Sequence, residues 1–186
     1  MRRYQHRLSK DIDIFVPDPQ ALNYVNPRLN DTAEEMTHHY VEANGYIKLF
    51  LEEGEIDFVA APNLMAANAV VEEEIFGTKV LVETSAEIIA KKFYHRGDRL
   101  IARDMFDLAL VIEKEPRELM AASEFLIRHA DAIKSQLAGD TSSLRVQFDA
   151  IEKLSYTPLF DEARDKVLFQ LEASIEHQKR INTLGN

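Results

Sequence analysis

The periodicity of the chain changes at Ser85. Before it, apolar and polar residues alternate over short runs, the two-residue repeat of a strand. After it, apolar residues recur every three or four positions, the repeat of a helix. A chain divided in this way segregates its layers, and the reading is an α+β protein: a small mixed sheet followed by a helical C-terminal half. The expected division is 1–84 for the sheet region and 85–186 for the helical region.

Within the first half, "DIDIFV" at 11–16 reads as a strand stopped by Pro17 and Pro19. Residues 31–43 read as a helix, with Asp31 or Thr32 as cap and Glu34 and Glu35 in the first turn. On it, His38 and His39 face solvent, and side chains diverging by about 100° make a poor metal pair. "YIKLFLEEGEIDFVAA" reads as a hairpin, with strands 46–51 and 55–60 joined through Glu53 and Gly54. Glu72, Glu73 and Glu74 read as a solvated charge run, and 78–84 as a further short strand. In the second half, helices are expected from Ser85 to about His95 with Gly97 as the stop, and over 102–114. Pro116 suits a first helical position and opens a third helix reaching about Ala138. Helices over 142–154 and 161–182 follow, the last with an apolar stripe for the core and a polar end expected to fray.

A length of 186 residues suits one domain or a small domain with a helical extension. A net charge of −10 argues against sequence-blind coating of DNA, whose affinity comes mainly from phosphate contacts. Two local basic clusters remain: Arg2, Arg3, His6, Arg7 and Lys10, then Lys91, Lys92, His95, Arg96, Arg99 and Arg103. With no cysteine, disulfides and thiolate metal sites are excluded. No apolar run approaches the roughly 18 residues of a membrane span. Arg2 and Arg3 are followed by no leader-like apolar segment, so a cytoplasmic protein is the expectation.

The strand 11–16 carries two acids where none is needed for folding. Asp11 and Asp13 project to one side while Ile12 and Ile14 face the other. Side by side, two carboxylates repel unless a cation lies between them. A hard cation such as Mg²⁺ takes oxygen donors of this kind together with substrate phosphates. The plainer alternative is an edge strand with solvated acids. Asp57, between Ile56 and Phe58, adds a third carboxylate on another strand. Three such groups can gather around two metal ions about 3.5–4 Å apart. Further on, Lys92 and Arg96 share a helix face, and Asp104 and Asp107 share the next. By spacing alone these read equally as ordinary salt bridges between amphipathic helices.

Taken in order, "HRLSKDIDIFV", "EIDFV" and "EIIAKKFYHR…ARDMFDLAL" resemble the AbiEii/AbiGii-type nucleotidyltransferase toxins of the polymerase-β-like superfamily, over residues 4 to 112. The resemblance implies that Asp11 and Asp13 form the metal-binding pair, with Mg²⁺ or Mn²⁺ as cofactor. Asp57 matches the third carboxylate, a metal ligand that helps draw a proton from the acceptor hydroxyl. Asp104 lies in the later Arg-Asp motif and joins the catalytic set. Lys92 and Arg96, with Arg7 and Ser9 ahead of the metal strand, fall to nucleotide phosphates; Lys91 is one residue off register and is expected to be exposed. The implied partners are an NTP, a tRNA or protein acceptor, and an antitoxin protein.

The family also carries a Gly-Ser or Gly-Gly phosphate turn ahead of its metal strand. Only ten residues precede Asp11 here, none of them glycine, and the first glycine is Gly45. The expectation is therefore a truncated or mis-assigned start, a turn supplied by a partner chain, or a degenerate fold that binds without catalysing. A metal-dependent phosphodiesterase using the same acids is a further alternative.

Overall fold

The computed structural model describes residues 3–96 and 98–184. They form two compact units, 9–63 and a helical one made of 3–8 with 64–184. The architecture is α+β, as the periodicity implies.

The smaller unit is a four-stranded mixed sheet in the order β1 (Asp11–Val16), β4 (Glu55–Ala60), β3 (Tyr46–Phe50), β2 (Tyr40–Ala43). Strand β1 runs parallel to β4; the other pairs are antiparallel. Pro17 and Pro19 end β1 as expected. Asp18 then caps a 3-10 helix, Pro19–Tyr24, accepting from the Gln20 amide at 2.9 Å. That helix lays Leu22 on Ile47 and Leu49, with Val16, Tyr40, Phe58 and Ala60 around them.

The helix expected over 31–43 is corrected. It spans only Asp31–Met36 (α1), and its cap is Asn30, whose side chain accepts from the Ala33 amide at 3.1 Å. Thr37 is extended, its hydroxyl donates to the Phe50 carbonyl at 2.8 Å, and 40–43 form β2. Pairing Tyr40 with Leu49 brings an aromatic ring onto the sheet core, which outweighs the local helical preference. His38 and His39 are exposed, in the connection rather than on a helix.

In the helical unit the glutamate run is also corrected, because it lies on a strand. Val70–Ile75 (β5) and Thr78–Glu83 (β6) form a separate antiparallel hairpin. Phe76 and Gly77 make its two-residue turn, both at positive φ, 51° and 77°. Seven helices follow: α2 (Ser85–Arg96), α3 (Ala102–Lys114), α4 (Pro116–Ala121), α5 (Ser123–Ile127), α6 (Ala130–Ala138), α7 (Ser142–Asp149) and α8 (Phe160–Leu184). Gly97, the expected stop of α2, lies outside the described residues, as does Arg2 of the first basic cluster.

The single helix expected from Pro116 to Ala138 is three, broken at Ala122 and His129. Its apolar spacing survives in the packing. Leu119, Leu126, Ile133 and Leu137 all reach the core shared with Ala163, Val167 and Leu171 of α8. Helix α7 ends at Asp149 and not near 154, because the chain beyond it pairs with residues 3–8 instead. The Leu8 amide donates to the Glu152 carbonyl at 3.0 Å, and the Leu154 amide to His6 at 2.9 Å. At the centre is α3, where Met105, Phe106, Leu108, Ala109 and Val111 are fully buried. The Phe106 ring meets Phe148 at 5.5 Å and Tyr156 at 5.3 Å.

Gly54 fixes the register between β1 and β4. A Cβ there would lie 2.3 Å from the Lys10 carbonyl oxygen, the acceptor for the Glu55 amide. Gly54→Ala must push the start of β1 off β4, and a loss above about 1 kcal/mol is expected in urea unfolding. The turn at Phe76 behaves in the opposite way. It holds a bulky residue where Asn is preferred, so Phe76→Asn is expected to raise stability by about 1 kcal/mol.

Candidate functional site

The acids of the smaller unit come together through strand register. Asp13 is paired with Asp57, and Asp11 with Glu55, across the parallel β1–β4 ladder. Neighbours in register share a face, and so do alternate residues along a strand. Asp11, Asp13, Glu55 and Asp57 therefore project to the same side, opposite the Leu22 core. Strand β3 adds Lys48, in register with Asp57, and Tyr46 two residues away. The Lys48 Nζ lies 2.6 Å from Glu55 Oε2 and 3.2 Å from Asp57 Oδ1. The Tyr46 hydroxyl donates to the same Asp57 oxygen at 3.2 Å. Hydrogen bonding to Glu55, with Asp57 beside it, holds the Lys48 ammonium well above the usual lysine range. Burial and the Asp57 charge push Tyr46 up.

Asp57 is thus anchored on its own sheet, while Asp11 and Asp13 stand on the exposed part of β1. Ser9, two residues before Asp11, is exposed as well. Among the described residues no three His, Cys, Asp or Glu side chains are gathered to hold a metal. The donor set suits a hard divalent ion of another kind, one that takes one or two carboxylates and completes its shell with phosphate and water. Asp11 and Asp13 supply the carboxylates.

The other predicted residues belong to the helical unit and are drawn into one network around Asp107, which is fully buried. Its Oδ1 accepts from Arg7 Nε at 2.7 Å and lies 2.8 Å from His6 Nε2. Its Oδ2 accepts from Arg7 Nη2 at 2.8 Å and Lys92 Nζ at 2.5 Å. Lys92 also reaches Asp104 at 3.3 Å, and Arg96 Nη1 bonds both oxygens of Asp104 at 2.9 and 3.1 Å. Burial pushes the Asp107 carboxyl up, but hydrogen bonds from Arg7 and His6 and the Lys92 charge outweigh it. The group stays far below the usual carboxylate range. The His6 Nδ1 is buried without a hydrogen-bond partner, its ring stacked on Phe106 at 5.9 Å.

The structure therefore unites Arg7, Lys92, Arg96 and Asp104 in one network, and sets Asp11, Asp13 and Asp57 on one sheet face. Lys91 is corrected: it is buried, paired with Glu83 and Glu87. The α2 register turns it inward one turn after Glu87, whose carboxylate accepts from the amides of Leu64 and Met65 at 2.8 and 2.9 Å. Sequence reasoning missed Lys48, Tyr46 and Glu55, although the hairpin alternation that placed Asp57 would have placed them too. It also missed Glu115, which accepts from Tyr4, Ser85 and Arg3 at 2.5, 2.9 and 3.1 Å. Burial and that bond push the Tyr4 hydroxyl up to about 12.

A family model described as "Nucleotidyl transferase AbiEii toxin, Type IV TA system" matches residues 1–182. The chain is similar in fold to JHP933 from Helicobacter pylori, at 14% identity and a TM-score of 0.55, covering 96% of this chain and 81% of that one. A second H. pylori structure, described provisionally as a nucleotidyltransferase, has the same identity and coverage with a TM-score of 0.49. No curated protein sequence matches. Among the described residues no helix is long and apolar enough to cross a membrane.

Removing the Asp107 charge leaves Arg7 and Lys92 facing each other in a buried site. Asp107→Asn is expected to cost about 3–5 kcal/mol in urea unfolding at neutral pH. The pH dependence has a fixed sign. A depressed native pKa stabilises above the unfolded value of about 3.9, and that contribution is lost as acid titrates the native carboxylate. Wild type should therefore lose stability more steeply below about pH 4 than Asp107→Asn, in urea titrations at stepped pH.

Proposed function

Since this chain belongs to the nucleotidyl transferase AbiEii toxin family of type IV toxin–antitoxin systems, we propose that it moves a nucleotidyl group from an NTP to a hydroxyl of a tRNA or protein. The observation that carries the reading is the shared face of Asp11, Asp13 and Asp57 in the β1–β4 ladder. Asp11 and Asp13 would hold Mg²⁺ or Mn²⁺. Bound there, a divalent ion supplies charge neutralisation at the triphosphate.

In this reading the acceptor hydroxyl oxygen attacks the α-phosphorus, and pyrophosphate leaves. Asp57 takes the hydroxyl proton, its orientation fixed by Lys48 and Tyr46. Lys48 keeps Asp57 ionised while competing for its Oδ1, so the free oxygen is the one assigned to the proton. Ser9 is assigned to the nucleotide on the strength of its exposure beside β1. Arg96, with its side chain 47% exposed and one nitrogen on Asp104, is assigned to phosphate. Arg7 and Lys92 are committed to Asp107, and Asp104 to Arg96 and Lys92. We assign these three to holding the network in place. The family setting implies an antitoxin partner, and a cytoplasmic location goes with an NTP substrate.

One observation favours a second reading, a nucleotidyltransferase fold that binds without catalysing: Asp57 Oδ1 is already engaged by both Lys48 and Tyr46. The two readings part in a labelling experiment with an α-phosphate-labelled NTP, Mg²⁺ and total tRNA or cell protein. The enzyme reading expects Mg²⁺-dependent labelling that falls at least about 100-fold in Asp11→Asn or Asp13→Asn. Equal labelling by Asp13→Asn removes the proposed metal pair. Calorimetry settles the other side: no heat on titrating NTP with Mg²⁺, together with no labelling, favours the non-catalytic fold.

A further inference from the structure

The hairpin β5–β6 has two outer edges, and they differ in charge pattern. The Thr84 amide donates to the Ala69 carbonyl at 2.8 Å, and Val71–Val82, Glu73–Val80 and Ile75–Thr78 continue that ladder. In an antiparallel pair, hydrogen-bonded positions alternate with ones whose backbone groups point outward. On β6 the outward positions are Lys79, Leu81 and Glu83; on β5 they are Val70, Glu72 and Glu74. Leu81 is 71% exposed, and the Lys79 side chain is 73% exposed.

The β6 edge is complementary to itself. Paired antiparallel with a copy about Leu81, it places Leu81 against Leu81 and Lys79 against Glu83 on both sides. Opposite charges and apolar pairs directly across a ladder stabilise it. The same operation on β5 about Glu72 sets Glu72 against Glu72 and Glu74 against Val70, and a like-charge pair blocks it. Lys79 bonds Glu72 of its own chain at 2.7 Å, and an ammonium has donors for more than one carboxylate. A two-stranded ribbon is marginal by itself, and an open edge is a template for another strand.

We propose that β6 docks on β6 of a second copy of this chain about a twofold axis at Leu81, giving a four-stranded sheet in the order β5-β6-β6-β5. The interface is isologous and closed, with the acidic β5 edges outermost. Each copy supplies its own Lys79 to the Glu83 of the other.

Sedimentation of the full chain over a range of concentrations, at physiological ionic strength, tests this. Wild type should dimerise with concentration. Leu81→Lys, which sets two ammonium groups against each other, should weaken the dimer about tenfold or more. Glu74→Lys, on the other edge, should leave it unchanged. The register has its own readout because the chain has no cysteine. Directly opposed residues in a hydrogen-bonded pair have Cα atoms about 5.5 Å apart, within disulfide reach. Under copper-phenanthroline oxidation, Leu81→Cys should form an interchain disulfide, and Glu74→Cys should not. A wild type that stays monomeric throughout overturns the proposal. So does a dimer indifferent to Leu81→Lys, or cross-linking of Glu74→Cys in preference to Leu81→Cys.

Discussion

A single buried carboxylate organises the helical unit. Asp107 accepts from Arg7 and Lys92 and pairs with His6 with no exposure to solvent. Three pieces of chain meet there: residues 3–8, α2 and α3. An ionised group so buried is tolerable only when its lone pairs are filled and its charge is matched. The fork of Arg7 and the ammonium of Lys92 do both. The remaining neighbours follow from this geometry. Lys92 is shared with Asp104, Asp104 takes Arg96, and the segment carrying Arg7 is laced to 152–155 by backbone hydrogen bonds.

The sheet unit solves a similar problem with exposed groups. Four acids on one face of β1 and β4 would repel one another, and Lys48 sits among them in register with Asp57. Its short contacts go to Glu55 and Asp57, the two acids of β4. The protein thus supplies an internal cation for one strand, and the Asp11–Asp13 pair is the part of the face where hard oxygen donors remain clustered on an exposed strand. Charge balance within the sheet, more than the number of acids, distinguishes Asp57 from the pair beside it.

Much of this was legible from residues close in sequence. The alternation in 11–16 and 55–60 placed the three aspartates on one face because strand side chains have a strict period of two. The apolar spacing of 102–114 defined α3 to the residue. What was illegible depended on distant partners. His6 and Asp107 are 101 residues apart in sequence, and Tyr4 and Glu115 are 111 apart. No local pattern announces either pair. The short helix at 31–36 was overread because the pull on Tyr40 comes from Leu49, across a sheet. Lys91 was misplaced because the buried role of Glu87 rests on the amides of Leu64 and Met65, more than twenty residues earlier. The glutamates at 72–74 looked like loop because two of the three side chains on that strand point to water.

The pairing of residues 5–8 with 152–155 has a consequence for biosynthesis. The first residues to leave the ribosome are among the last to find their places, since the strand-like partner and α3 are made more than a hundred codons later. The segment 9–63 has all its own sheet partners within reach long before that. A nascent chain therefore passes through a long interval with a formed carboxylate-bearing sheet and an unfinished helical unit. For a toxin this sequence of events delays the complete molecule until its final helix has been translated.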